Sequence, residues 1–343
     1  MIGRVKGRRG GAAALLLAAT LATACARPAR AEAFRLPPLA ARRHGGRPRD
    51  AVAMTPSAGQ AIYRLPADYR GPTGGVDQTA LVAQQKRRLA AINRTVGTNL
   101  KAAETSHYLI FSDADEKVTR QFKVWSEALY RSLLQQFRLP STARVWDGKC
   151  MLLLFNRRRD FETYAFRVDG SRAQNAGAYF AVENHGPNHP ALVHMCLPIE
   201  TTEARRLQEL FAHEGTHAFF ELYKTPGRLP LWLHEGLAEY MTTVNDEGLR
   251  PPKWMMGRRV AQSGRSIQRM FTVPVGGELT VPEYGAAFTL VDFLLKTGRP
   301  KFKAFIDNLK DGKPQEEALQ EAYGFGLADL QRRWRVYAAR GTP

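Results

Sequence analysis

Over residues 26–75 the apolar and polar positions keep no steady period, and Pro, Gly, Arg and Ala predominate. Such a stretch reads as a disordered linker, since it has too little apolar surface to bury. Order begins with Leu81, Leu89 and Ile92 among charged residues, a spacing that predicts a helix over 78–99. Short β-type runs follow at 107–111, 150–155, 176–181 and 191–197, with an amphipathic helix over 116–137 between the first two. Arg157, Arg158 and Arg159 read as a solvated turn. From Thr202 onward the period is helical almost throughout, at 202–223, 231–244, 284–296, 300–309 and 327–339. No internal repeat is present. A small sheet followed by helices is an α+β pattern, with 78–343 as the folded domain.

The predicted helix 202–223 contains His213-Glu214-Gly215-Thr216-His217, an HExxH sequence. Residues four apart on a helix differ by about 40° in azimuth and about 6 Å in height, so both imidazoles face one way. Two neutral imidazoles and one further ligand hold Zn²⁺ with an open position for water, and Glu214 lies beside that position as a general base. With 8 His and 19 Glu in 343 residues, chance yields about 0.01 such motifs. Leu207, Phe211, Ala218 and Leu222 supply a separate apolar face, so the motif sits on a helix as its chemistry requires. A third ligand, an acid or a His, is expected on a nearby element.

Trp232-Leu233-His234-Glu235-Gly236-Leu237-Ala238-Glu239-Tyr240 offers candidates. HEGTH followed by WLHEGLAEY resembles the gluzincin zinc metallopeptidases, especially the peptidase MA-like domains of exported bacterial proteins. The resemblance implies a zincin-like fold, a small twisted sheet over an active-site helix with a mostly helical C-terminal part. It implies Glu235 as the third zinc ligand and Glu239 as the acid that orients a ligating His, which usually donates its second N–H to a carboxylate or carbonyl. Seventeen residues separate His217 from Glu235, one or two fewer than in the better-known gluzincins. His234 stands where related aminopeptidases often carry Asn, which suits a structural or substrate-facing role. In those relatives a Tyr in the downstream helix hydrogen-bonds the tetrahedral intermediate, which makes Tyr284 a catalytic candidate; the alternative is aromatic packing at a helix start. Looser similarity runs over 107–338. The family's edge strand pairs with extended substrate, so His194, with His185 and His189 in the loop before it, either borders the cleft or serves as a polar partner in the fold.

Charge and cysteines locate the protein more than they define it. The chain carries 50 Lys+Arg against 32 Asp+Glu, a formal charge of +18. Residues 1–50 hold 11 of those cations and 2 of the acids, so half of the excess sits in the N-terminal seventh. No basic stripe with interleaved aromatics follows, so no nucleic-acid partner is expected. Arg4, Lys6, Arg8 and Arg9 precede an apolar run over 11–24, the layout of a signal peptide. The run is shorter than the roughly 20 residues a spanning helix needs. Two processing sites compete. Leu21-Ala22-Thr23-Ala24-Cys25 resembles a lipobox, which would make Cys25 a lipidated membrane tether, and Ala29-Arg30-Ala31 is an ordinary cleavage site. Either route places the protein in the bacterial cell envelope, as a periplasmic protein or an anchored lipoprotein. Cys150 and Cys196 are then free to pair or to pack as buried apolar residues.

The expected function is hydrolysis of a peptide or protein substrate by metal-activated water. The alternative is a non-catalytic zinc-binding envelope protein with a peptidase-like fold.

Overall fold

The computed structural model describes residues 76–341, apart from 172, 174–175, 184–189, 201, 226 and 276. The signal segment 1–24, Cys25, the linker as far as 75, His185 and His189 lie outside these residues.

Helix α1, Gln78–Val96, starts where the Asp77 carboxylate accepts from the Thr79 and Ala80 N–H groups. It ends at Gly97, whose φ of 80° is a left-handed cap that stops the helix short of residue 99. Strand β1, Lys101–Glu104, was not expected: KAAE is largely exposed and shows no apolar alternation. Next come β2 (Tyr108–Ser112), α2 (Glu116–Gln136), β3 (Cys150–Phe155), α3 (Arg158–Arg167), β4 (Tyr179–Glu183) and β5 (Leu192–Pro198). Helix α3 corrects the reading of Arg157–Arg159 as a turn. Arg157 is its N-cap, Arg158 and Arg159 begin it, and Arg158 Nε donates to Glu162 at 3.1 Å. The sheet order is β1-β2-β3-β5-β4, with β2, β3 and β5 parallel and both edge strands antiparallel to their neighbours. The arrangement is α+β with a small mixed sheet and a helical C-terminal part, consistent with a zincin-like fold.

Strand alternation gives the sheet two apolar faces. Ile110, Leu152, Phe180 and Met195 join the core that includes α2 and α4, Ala204–Leu222. Leu109, Leu153, Tyr179 and Cys196 meet Ile92 of α1 with Phe161 and Tyr164 of α3. Cys150 belongs to the first core and Cys196 to the second; both thiols are buried and free. Burial pushes the Cys196 thiol up to about 11.

The remaining helices are α5 (Leu231–Asn245), α6 (Arg250–Gln262), α7 (Gln268–Thr272), α8 (Val281–Thr297), α9 (Arg299–Lys310), α10 (Gln315–Tyr323) and α11 (Leu327–Arg340). The Pro251-Pro252 pair looks like a break in the sequence, yet it occupies the first turn of α6, where backbone N–H groups have no partner to lose. Helix α8 begins three residues before 284, because the Glu283 carboxylate accepts from the Thr280 N–H at 2.7 Å. Close backbone approach fixes the spacing here. A Cβ on Gly236 of α5 would lie 2.5 Å from the Ala287 carbonyl oxygen of α8, and one on Gly257 of α6 would lie 2.4 Å from that of Gly285.

The end of α9 anchors the connection between α4 and α5. The buried Lys310 ammonium donates to the Phe220 carbonyl at 2.8 Å, capping the C-terminal turn of α4, and burial lowers its pKa to about 8. The Thr225 hydroxyl donates to the Lys310 carbonyl, and Lys224 pairs with Asp311 at 2.6 Å. These contacts hold the short loop that sets α5 against α4.

Candidate metal centre

His213, Glu214 and His217 lie on the buried stretch of α4, and Glu235 lies on the first turns of α5. The two imidazoles share one side of the helix, with ring centroids 4.7 Å apart and planes near perpendicular. Their Nε2 atoms are 3.1 Å apart. Glu235 Oε2 is 3.5 Å from the first and 3.6 Å from the second. One ligand atom from each residue therefore falls within 4.8 Å of the other two.

Three features test whether a metal ion fits there. Glu235 Oε2 is buried and receives no hydrogen bond among the described residues, a costly state for a carboxylate oxygen unless a cation faces it. Burial alone would lower the His213 pKa, but the Glu235 and Glu239 carboxylates outweigh it and raise it to about 10. The same site keeps His217 below its ordinary value, through burial and the His213 charge, so it resists a second proton. The pocket favours one compact positive charge among the three side chains, and two imidazoles with a carboxylate are a ligand set that suits zinc.

The other ring nitrogens have partners of their own. His213 Nδ1 faces Glu239 Oε1 at 3.4 Å. Lys253 of α6 holds the second Glu239 oxygen and pairs with Glu209 of α4 at 3.0 Å. The Glu239 pKa falls to about 2 because, against burial, the Lys253 cation and the His213 ring favour its charged form. His217 Nδ1 lies 3.3 Å from His234 Nε2. Burial and the neighbouring His217 keep His234 neutral, so its Nε2 accepts from His217 Nδ1–H and leaves Nε2 of His217 turned to the centre. Sequence reasoning assigned His234 no partner, and it missed Lys253 and Glu209 entirely. Their role depends on where α6 packs, which no local pattern encodes.

Tyr284 enters on the first turn of α8. Burial raises its pKa, and the Glu235, Glu239, Glu278 and Glu214 carboxylates add to the effect, so the phenol keeps its proton beside the centre. Phe180 of the edge strand β4 places its ring 6.0 Å from that of His217.

His194 does not border the metal centre. It points to the opposite face of the sheet, where its Nε2 meets Asp169 at 2.9 Å and its Nδ1 faces Glu183 at 3.3 Å. The parity of β5 explains the placement, since His194 shares a face with Cys196 rather than with Met195.

No curated protein matches the chain. A family profile described as the peptidase MA superfamily matches residues 168–340. The match holds both histidine-bearing helices, α6 and α8, while β1 to β3 and α2 fall outside it, so it is narrower than the 107–338 suggested by loose similarity. It covers just over half of the 343 residues, and the chain belongs to the peptidase MA superfamily.

Proposed function

We propose that the protein is an exported zinc-dependent metallopeptidase of gluzincin type, acting on peptide or protein substrate in the bacterial cell envelope. The observation that carries the reading is the convergence of His213 Nε2, His217 Nε2 and a Glu235 oxygen within 4.8 Å. His213, His217 and Glu235 would hold a zinc ion, which would supply Lewis acidity towards a peptide carbonyl and a water molecule. Glu214, on the same turn of α4, takes the proton from the attacking water and returns it to the amine that leaves as the C–N bond breaks. Tyr284, kept protonated by its surroundings, donates a hydrogen bond to the developing oxyanion. Glu239 and His234 fix the ring planes of His213 and His217 through the far nitrogens. Phe180 lies beside His217 on β4, the strand that ends the sheet and would be the one to pair with an extended substrate. The signal layout supports export, and lipidation at Cys25 would tether the enzyme to a membrane.

Elemental analysis tests the ligand set. The full chain should carry one zinc, His217→Ala should carry almost none, and a chelator should abolish peptide cleavage until zinc is returned. Undiminished zinc in His217→Ala would remove the basis of the reading.

A further inference from the structure

Behind His213 three helices bring four charged side chains together. Glu209 lies four residues before His213 on α4 and so shares its side of the helix. Glu239 comes from α5 and Lys253 from α6. The Lys253 ammonium bonds Glu239 Oε2 and, at 3.0 Å, Glu209 Oε1, while Arg206 holds the other Glu209 oxygen at 2.5 Å. Lys253, Glu209 and Glu239 have side chains only 13%, 18% and 12% exposed. Water therefore screens them little, and a cation between two carboxylates is the arrangement that removes their repulsion.

The division of the Glu239 oxygens matters most. Oε1 faces His213 Nδ1 at 3.4 Å and Oε2 is gripped by Lys253. A carboxylate gripped at one oxygen cannot rotate its other oxygen away from the imidazole. The lysine is itself positioned by the close crossing of α6 on α8 at Gly257 and Gly285. We propose that Lys253 is a positioning residue of the metal centre: it holds Glu239 against His213 and thereby sets how tightly the centre binds zinc. This rests on the reading of His213, His217 and Glu235 as zinc ligands. It adds a part that no sequence motif marks, a helix outside the histidine pair that tunes a ligand from two residues away.

The test is zinc affinity of the full chain, measured by chelator competition and paired with the melting temperature of the metal-free protein. Lys253→Met should weaken zinc binding 10- to 100-fold, the usual cost of losing an outer partner of a ligating His, and Lys253→Arg should recover part of that loss. In a Glu239→Gln background Lys253→Met should add no further loss, because the lysine acts through Glu239. A lysine that merely staples α6 to α4 would lower the metal-free melting temperature and leave zinc affinity unchanged, which would overturn the proposal. Equal losses in both backgrounds would overturn it too. If Lys253→Met folds poorly, Glu209→Gln with Lys253→Met removes the cation and one carboxylate together and should show the same 10- to 100-fold loss; unchanged affinity there counts against the proposal. A wild-type chain that takes up no zinc would remove the centre itself and this inference with it. A wild-type chain that binds zinc with Lys253-independent affinity removes the inference alone.

Discussion

The protein buries two clusters of histidine and acid, and they behave differently. Beside α4, His213 and His217 point their Nε2 atoms at each other and at a Glu235 oxygen that receives no hydrogen bond. On the far face of the sheet, Asp169, His194 and Cys196 converge within the same 4.8 Å. There, however, the groups complement one another. Asp169 Oδ2 accepts from the Tyr179 hydroxyl at 2.6 Å and from His194 Nε2–H at 2.9 Å, and Glu183 pairs with Arg88 at 2.6 Å. Two acids against His194 and Arg88 leave no charge to balance. Burial would lower the His194 pKa, but Asp169 leads the groups that raise it well above its ordinary value. Convergence of ligand types is common to both clusters. What separates them is composition: beside α4 two imidazoles face one carboxylate oxygen, the kind of ligand set that suits zinc, whereas on the far face one imidazole lies between two carboxylates.

That contrast is broken most severely by exchanging the roles of the two histidines. His217→Ala should empty the centre of zinc and abolish turnover. His194→Ala should leave one zinc per chain, because zinc does not depend on the far cluster. It should nevertheless destabilise the fold by about 1–3 kcal/mol in urea unfolding, since Asp169 and Glu183 each lose one buried hydrogen-bonding partner while keeping Tyr179 and Arg88. Loss of zinc in His194→Ala would mean that the far cluster holds metal as well.

Tyr284→Phe is the next largest effect. Removing one hydrogen-bond donor from the oxyanion should lower kcat by about 10²–10³ with KM little changed. A change confined to stability would assign the ring to packing alone.

Acid sharpens the comparison further. Burial opposes charge on Glu183, yet His194 and Arg88 draw its pKa from 4.5 down to about 2. A lowered carboxylate pKa gives stability that is present above 4.5 and lost as pH falls towards 2. The raised His194 contributes in full below its ordinary 6.5 and loses its share as pH rises through the higher folded value. The far cluster should therefore stabilise most between pH 4.5 and 6.5. Urea midpoints between pH 2.5 and 6 should fall on the acid side in the wild type and less steeply in Glu183→Gln; parallel curves would contradict the assignment.

The smallest expected effect concerns the thiols. Cys150 and Cys196, buried on opposite faces, should resist a thiol reagent in the native state and react on unfolding. Rapid native labelling at either would contradict their burial.

The pairing of His213 and His217 was legible because HExxH needs only one helix to bring its histidines together, and α4 runs through it unbroken. The buried run Cys150–Phe155 likewise declares a central strand, apolar on both faces. Other features were not local. The facing of His194 turns on strand parity, which the apolar run 191–197 does not reveal. Lys253 looks like any surface lysine after two prolines until α6 lies across α8. Strand β1 owes its existence to pairing with β2, where Ala102 meets Phe111, rather than to its own side chains.

The central claim is that His213, His217 and Glu235 hold a zinc ion beside which Glu214 moves the proton. Cleavage of a diverse peptide library by the zinc-loaded full chain, run beside Glu214→Gln with zinc counted in both, tests it most directly. The account predicts one zinc per chain in each, cleavage by the wild type, and a rate about 10²–10⁴-fold lower in the variant. Equal cleavage by both, or one bound zinc with no cleavage by either, would contradict it, and the latter result would leave a zinc-binding envelope protein in place of an enzyme.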